Sequence, residues 1–470
     1  MAKPATALRH AGTPVRKIEY VGYALGMMGY QVQNTVLNMY LLLYLTNVLQ
    51  IPSIAAGSIT LVCRFVDACT DIFFGTIGDR THTHTRWGSY KPWYVTMAVP
   101  ACLSFALLFI RPGFITPGTG IALAWAYFIY LIFGSVFTTI MYTAYGAFTS
   151  VASADAGERN KLVMSRQMGL NLSGLLACCT MPLMLHFGNG DSNSPEAFAA
   201  MAIFLAVISV ACYLLCGVSI KERVALNPGR KLPVRESFKV FKGNYLFLSA
   251  LILNVLQSIG IAMFGGMMTY YFLYYKMNPS GMTPTQIVSA IVAVIVNLLV
   301  LPWMMRRMKR SAIYMTAVLL FVGLEILGYF LGGYEISGYL LMCAYAVCMM
   351  IVYAVTYSII PDAVDYGEWR NGVSAPGTVN TVLSFIQKTT TGIGTLLIAV
   401  ITETIGLDQS LGLAQSPATQ EGMRFYFFLA PTAFFAASAL GLIFLRVTPE
   451  KMKQIRAELK ERRAAANKEV

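Results

Sequence analysis

The sequence is short of charge. Asp, Glu, Lys and Arg supply only 12% of its 470 residues, against 56% hydrophobic residues, and mean hydropathy is +0.60. A soluble domain covers its surface with about a quarter charged residues, so a water-soluble globule is excluded. The alternating pattern of a membrane β-barrel is missing as well. Nine cysteines are present, but Cys63, Cys69, Cys178, Cys179 and Cys343 lie in apolar segments without metal-ligand spacing, so they read as packing residues. Histidine is scarce, and His82 and His84 alternate with threonines in a short polar loop, which suits a solvated turn better than a metal site. The basic first residues are not followed by a cleavable apolar core, so the first helix is expected to act as the insertion signal.

What the sequence does have is apolar runs of roughly 20 residues, each long enough to cross about 30 Å of hydrocarbon. Backbone amides in lipid must be satisfied within their own segment, so the runs are read as helices. Twelve spans are expected, starting near Glu19, Ile54, Pro92, Gly120, Lys161, Ala197, Tyr245, Gln286, Ser311, Gly338, Ser374 and Phe425. Proline and glycine clusters mark breaks at Arg111-Pro112-Gly113, Gly188-Asn189-Gly190, Asn278-Pro279-Ser280-Gly281 and Gly332-Gly333.

The formal net charge of +13 does not point to nucleic acid, because the excess sits in short loops and at the ends. With the N-terminus inside, the outward loops hold only Arg111, Lys276 and Arg424 of the 35 basic residues. That bias predicts an inner (cytoplasmic) membrane protein with both termini cytoplasmic. The polar stretch from Lys221 to Asn244 divides the chain into two sets of six spans. The expected organisation is a terminal segment 1–18, a bundle 19–220, a loop 221–244, a second bundle 245–446 and a basic tail 447–470. Six-plus-six pseudo-repeats around a midplane site typify rocking secondary transporters.

Some charges have no business in lipid. Asp67 and Asp71, in RFVDACTDIFFG, are one turn apart on one helix face, with Asp67 near mid-membrane. A carboxylate at that depth costs on the order of 3 kcal/mol by insertion scales, so each needs a polar cavity or a partner. With the Thr70 hydroxyl beside them, the two acids could hold a sodium-sized ion or share a proton. The plainer reading is a structural ion pair with Arg64, although one base does not balance two acids. Lys388, among three threonines in the eleventh span, is the expected acid partner; snorkelling to the inner surface is its bland alternative.

In the first span Gln31, Asn34 and Asn38 form a stripe suited to sugar hydroxyls, and equally to gluing helices together. Tyr142 and Tyr145, and in the seventh span Tyr270, Tyr271, Tyr274 and Tyr275, could stack on a pyranose face; most are read as packing or interfacial residues. Asp362, Asp365 and Glu368, next to Arg370, read as an inner gate or loop-pinning network, as do Asp79, Arg80 and Arg86 below the second span.

At RFVDACTD, RTHTHTRWGSYKPW, VDYGEWRNG and FIQK the chain resembles the glycoside–pentoside–hexuronide:cation symporters, the melibiose-permease-like branch of the major facilitator superfamily, over essentially its whole length. The resemblance implies an all-α fold of twelve transmembrane helices in two pseudo-symmetric six-helix bundles. It also implies cation-coupled sugar uptake without a cofactor, by a protein expected to be monomeric. It makes Asp67 and Asp71 cation-binding, sets Lys388 near them, places a polar contact at Ser384, and matches Arg166 to the family's arginine of the fifth helix. The family's sugar-contacting acids fall on Gln31 and Tyr142, so both acids are missing; a less negative cavity favours an anionic sugar such as a glucuronide. Thr70 replaces the cation-site asparagine of some relatives, leaving H+ and Na+ both open. No metal is expected beyond that sodium. Two rivals are a lipid or drug exporter on the same fold, and a membrane prenyltransferase reading Asp67-xxx-Asp71 as half of a magnesium–diphosphate site.

Overall fold

A computed structural model describes residues 13–78, 88, 90–153, 155–223, 236, 238–331, 335–373, 375–408, 411, 414–445 and 447–466. No β-strand occurs among them. Twelve helical rods follow one another in the predicted order. The first six are α1 (Lys17–Asn47), α2 (Ser53–Gly78), α3 (Lys91–Leu108), α4 (Gly120–Leu131, a π-helical Ile132–Thr138, then Thr139–Val151), α5 (Ala156–Ala177, then Thr180–Phe187) and α6 (Pro195–Ser219). After them come α7 (Tyr245–Tyr270 with a π-helical end, Tyr271–Tyr275), α8 (Met282–Ile295, Val296–Val300, Leu301–Arg307), α9 (Arg310–Leu331), α10 (Glu335–Asn371), α11 (Pro376–Thr404) and α12 (Pro417–Ser438, then Ala439–Phe444). Ten of the twelve are long and apolar enough to cross a bilayer. The other two are α1, which carries the amide stripe, and α8, whose long apolar stretch stops at Ile295.

Local chemistry sets the ends. Asp155 caps α5 by accepting from the Glu158 amide at 2.8 Å, and Ser194 caps α6 by accepting from the Ala197 amide at 3.2 Å ahead of Pro195. The largest departure from the expected starts is α12. It begins at Pro417 and not near Phe425, because its first two turns carry Gln420, Glu421 and Arg424 and stand outside any apolar window.

The chain divides into two units: Met1–Gly229 with Gly265–Ile287 and Thr395–Met423, and Arg230–Phe264 with Val288–Gly394 and Arg424–Val470. In the first, α1 packs on α5 and α6, α3 on α6, and α2 on α4. Small residues set the spacing: a Cβ on Gly169 would lie 2.0 Å from the Ala24 carbonyl oxygen, and one on Gly22 would collide with Ser219. The ends of α1 and α6 are pinned by buried charge. Arg223 donates to Glu19 at 2.7 Å with side-chain exposures of 4% and 1%, and also reaches the carbonyls of Pro14, Ala152 and Lys221. Glu222 accepts from the amides of Tyr90 and Lys91, both at 2.9 Å. It also fills the space beside Gly88, whose φ of +113° is open to glycine.

The second unit has its core around Phe247, Leu253, Tyr314, Val352, Ile359, Val379 and Leu383. The basic tail is no loose end here. It forms an amphipathic helix, α13 (Pro449–Ala466), whose Met452, Ile455 and Leu459 join that core. Its Arg456 pairs with Asp362 and, at 3.4 Å, with Asp365, while Arg310 at the start of α9 donates to Asp362 at 2.5 Å.

Removing one partner of the sealed Glu19–Arg223 pair strands a buried charge, at a cost of about 3–5 kcal/mol. Arg223→Met is therefore expected to lower the thermal unfolding midpoint in detergent sharply. The double variant Glu19→Gln/Arg223→Met should recover most of that loss, and a double variant no better than the single would refute the pairing as the cause.

Candidate functional site

The acid pair lies inside the first unit, between α2 and α4. Asp67 is buried and Asp71 half-buried. Both are met by one hydroxyl: Thr139 Oγ lies 2.9 Å from Asp67 Oδ1, 3.1 Å from Asp71 Oδ1 and 2.9 Å from the Gly134 carbonyl oxygen. A threonine hydroxyl has a single hydrogen, so it donates to one of these acceptors at a time. Four oxygens thus converge, a set whose chemistry suits a proton or a small hard cation. The π-helical segment Ile132–Thr138 ends immediately before Thr139 and brings the Gly134 carbonyl to it, as such segments often do at functional positions. The sequence reading placed Thr70 in this role. Thr70 donates instead to the Asp67 backbone carbonyl at 3.0 Å, and the shared hydroxyl belongs to Thr139. Its only signal in the sequence was the Thr138-Thr139 step in an apolar span.

Arg64, one turn before Asp67, is buried and donates to the side-chain oxygens of Asn34 and Asn38, each at 3.2 Å. Asn34 also donates to the Tyr30 carbonyl at 3.1 Å. Two members of the amide stripe therefore hold Arg64 in the bundle, while Gln33 ties α1 to Tyr213 and Cys102. Gln31 is half-buried, and no hydrogen bond reaches its side chain among the described residues.

The second centre is built around Arg166 on α5. Its guanidinium donates to the Tyr142 hydroxyl at 2.5 Å and lies 5.7 Å and 6.0 Å from the ring centroids of Tyr142 and Tyr145. Tyr142 stacks on Tyr30 with centroids 4.2 Å apart. Tyr145 is 2% exposed and donates to the Tyr23 carbonyl at 2.7 Å, so it forms the wall behind Arg166 and presents no free hydroxyl. Among the described residues no carboxylate pairs with Arg166. A guanidinium carries five donors, and the Tyr142 hydroxyl takes one of them. Thr139 and Tyr142 are three residues apart on α4, so the two centres are joined by one helical turn.

Tyr274 is also committed, since it accepts from the Asn47 side chain at 2.7 Å at the far end of α1. Lys388 is half-buried and Ser384 exposed on α11, both in the second unit. One turn of α11 and one of α10 form a polar cluster there that the sequence reading missed. Gln387 donates to Tyr353 at 3.0 Å and accepts from Tyr357 at 3.2 Å, and a cavity of about 360 Å³ lined by Tyr357, Asp365 and Asn380 lies alongside. The acids at the end of α10 take partners other than Arg370. Asp362 and Asp365 take Arg456, and Asp362 takes Arg310; Arg370 donates instead to the Gly243 carbonyl at 2.9 Å and to the Tyr366 hydroxyl at 3.3 Å. Glu368 is half-buried beside them. Asp79, Arg80 and Arg86, with His82 and His84, lie outside the described residues. Among the described residues no group of three or more His, Cys, Asp or Glu is placed to hold a metal ion.

A helical bundle of this kind is a major facilitator-type carrier. The fold matches the crystal structure of a D-xylose–proton symporter with a TM-score of 0.64 at 12% identity, over 92% of this chain and 97% of that one. It also matches a bacterial homologue of the human lysosomal transporter Spinster at 0.63 and 13%, over 92% and 98%. The chain belongs to the MFS/sugar transport protein family, whose pattern matches residues 22–449. It is similar to the isoprimeverose transporter of Lactiplantibacillus pentosus, with 28% identity over 459 residues, covering 96% of this chain and 92% of the other. An Escherichia coli (strain K12) protein to which sulfoquinovose import is ascribed shares 28% over 440 residues, 92% and 91% of the two chains. The protein is thus a multi-pass membrane transporter of the sugar-carrier type and not an enzyme, which removes the prenyltransferase reading of Asp67-xxx-Asp71.

Thr139→Val removes the donor from two carboxylates, and a buried acceptor left without its donor costs about 1–3 kcal/mol. Thr70→Val removes only a local bond within its own helix. The first is expected to lower thermal stability in detergent clearly more than the second; equal losses would show that the Thr139 hydroxyl is not shared.

Proposed function

We propose that the protein is a symporter that carries a sugar bearing an anionic substituent together with one H+ or Na+. The cation is held at Asp67, Asp71, Thr139 and the Gly134 carbonyl. The solute's anionic group docks on Arg166, with Gln31 and Tyr142 meeting its hydroxyls. The protein works in the inner membrane with both termini in the cytoplasm, alternating between outward and inward access by rocking of its two six-helix bundles.

The observation that carries this reading is Arg166, a half-buried guanidinium with a tyrosine hydroxyl and two ring faces around it and no carboxylate partner among the described residues. Charge arithmetic supports it. Within the first unit the acidic and basic side chains of the described spans that lie well away from helix ends are Arg64, Asp67, Asp71 and Arg166, two of each kind. The empty centre is balanced. A bound cation adds one positive charge, and an anionic solute cancels it. Only the empty and the doubly loaded centres are then neutral, and an unbalanced charge resists occlusion in low dielectric. A neutral solute offers no such loaded state. The family and the named sugar relatives support the solute class; sulfoquinovose, which the second relative is said to import, is a sulfonated sugar.

One cation descending about 100 mV supplies about 2.3 kcal/mol, enough for roughly fortyfold accumulation. In proteoliposomes Asp67→Cys should abolish uphill accumulation while solute binding survives; unimpaired accumulation would remove Asp67 from coupling. Imposed sodium and proton gradients applied separately identify the ion.

Across a panel of neutral glycosides, hexuronides and sulfonated sugars, the anionic members should be transported and Arg166→Gln should raise their KM at least about tenfold. Uptake of the neutral members alone would overturn the anionic assignment while leaving the carrier intact.

A further inference from the structure

Deep in the second unit, α9 carries an acid that no part of the mechanism uses. Glu325 stands in the apolar run Phe321-Val322-Gly323-Leu324-Glu325-Ile326-Leu327 and is 4% exposed. It belongs to the inward stripe of α9 with Tyr314, Ala317, Val318, Phe321 and Gly328, while Leu319, Leu320, Ile326, Leu327 and Phe330 form the opposite, outward face. Against the stripe pack Tyr345, Cys348 and Met349 of α10 and Phe435 of α12, and the rings around Phe321 approach to 4.9 Å and 5.5 Å. The titratable groups facing Glu325 are Tyr345 and Cys348; α7, which adds Ile261 to this cluster, brings no charged side chain, and the nearest cation of α12, Arg424, donates to the Tyr329 carbonyl one turn further along α9. The Glu325 Oε2 is buried and meets no hydrogen-bond donor.

An ionised carboxylate without donor or counter-charge in such a place is far costlier than the neutral acid. The neutral acid is an ordinary buried polar group. We propose that Glu325 is a proton-binding site separate from the Asp67/Asp71 pair, carried as the neutral carboxylic acid at neutral pH, and that it is the residue a hydrophobic carbodiimide modifies in this protein. The modification needs the acid proton. That proton passes to one carbodiimide nitrogen, the carboxyl oxygen adds to the central carbon, and the acyl group migrates to nitrogen, so the whole reagent stays attached and nothing leaves.

The test is an infrared comparison of the full-length protein in liposomes at pH 7. Wild type should show a protonated-carboxyl carbonyl band that shifts in D2O, vanishes in Glu325→Gln, and persists in Asp67→Asn/Asp71→Asn. Should Glu325→Gln fail to accumulate in the membrane, Glu325→Leu, similar in volume and uncharged, serves as the reference. Dicyclohexylcarbodiimide treatment of the wild type followed by peptide mass spectrometry should place the adduct on Glu325. Loss of ionised-carboxylate bands in Glu325→Gln would overturn the protonation assignment, and an adduct confined to Asp67 or Asp71 would overturn the modification site.

Discussion

One hydrogen facing three oxygens is the constraint around which the first unit is organised. The Thr139 hydroxyl reaches two carboxylates and a carbonyl and can satisfy one of them at a time. Hydrocarbon offers a carboxylate neither charge nor hydrogen bond, so whatever stabilises it must come from the protein or from a cavity. The surrounding structure is arranged about this point: an interrupted helix, α4, turns a backbone carbonyl toward the Thr139 hydroxyl, and Arg64, one turn before Asp67, is held by two amides. Those amides orient the guanidinium through neutral acceptors.

Such a centre works only in a frame that does not collapse onto it. The frame is fixed at helix ends, where charge can be matched. Glu19 and Arg223 clamp the start of α1 to the segment after α6, and Glu222 holds the chain that enters α3. The second unit solves the same problem with other residues, drawing Asp362 to Arg310 and to Arg456 of the tail helix. In both, a carboxylate near a helix end takes a basic group from a segment remote in sequence. Apolar packing cannot define the length of a helix pair as sharply, because hydrophobic contact is non-directional.

The rods were legible from the sequence because hydrocarbon imposes a length and forbids unpaired backbone. Most of the expected starts fall within a few residues of the helices found; α12 departs most, since hydropathy sees the apolar window and not the polar turns outside it. Asp67 and Asp71 were legible because charge in an apolar run is conspicuous, whereas Arg166 came only with the family resemblance. Thr139 was not, since a threonine in a span is common and its role is set by which helix faces which. Tyr142 and Tyr145 look alike in sequence, and only their partners separate a group that seats Arg166 from one locked to the Tyr23 carbonyl. The tail read as a run of charge; Met452, Ile455 and Leu459, at helical spacing within it, carried the signal of a packed face.

The proximity of the two centres explains how one ligand could govern the other without a long pathway. Thr139 and Tyr142 share a helix face one turn apart, so a cation that draws in Thr139 acts on the same turn of α4 that seats Arg166. Coupling here needs no movement to be relayed across the bundle. It needs the turn to be rigid and the charges to be few, and the described interior of the first unit holds only two of each sign away from helix ends. At interior dielectric a single unmatched charge outweighs several ordinary hydrogen bonds. On the reading proposed above, the rule that cation and solute travel together follows from electroneutrality of a small closed space more than from any contact between them. Cavity shape is then free to select the sugar, while charge alone enforces the stoichiometry.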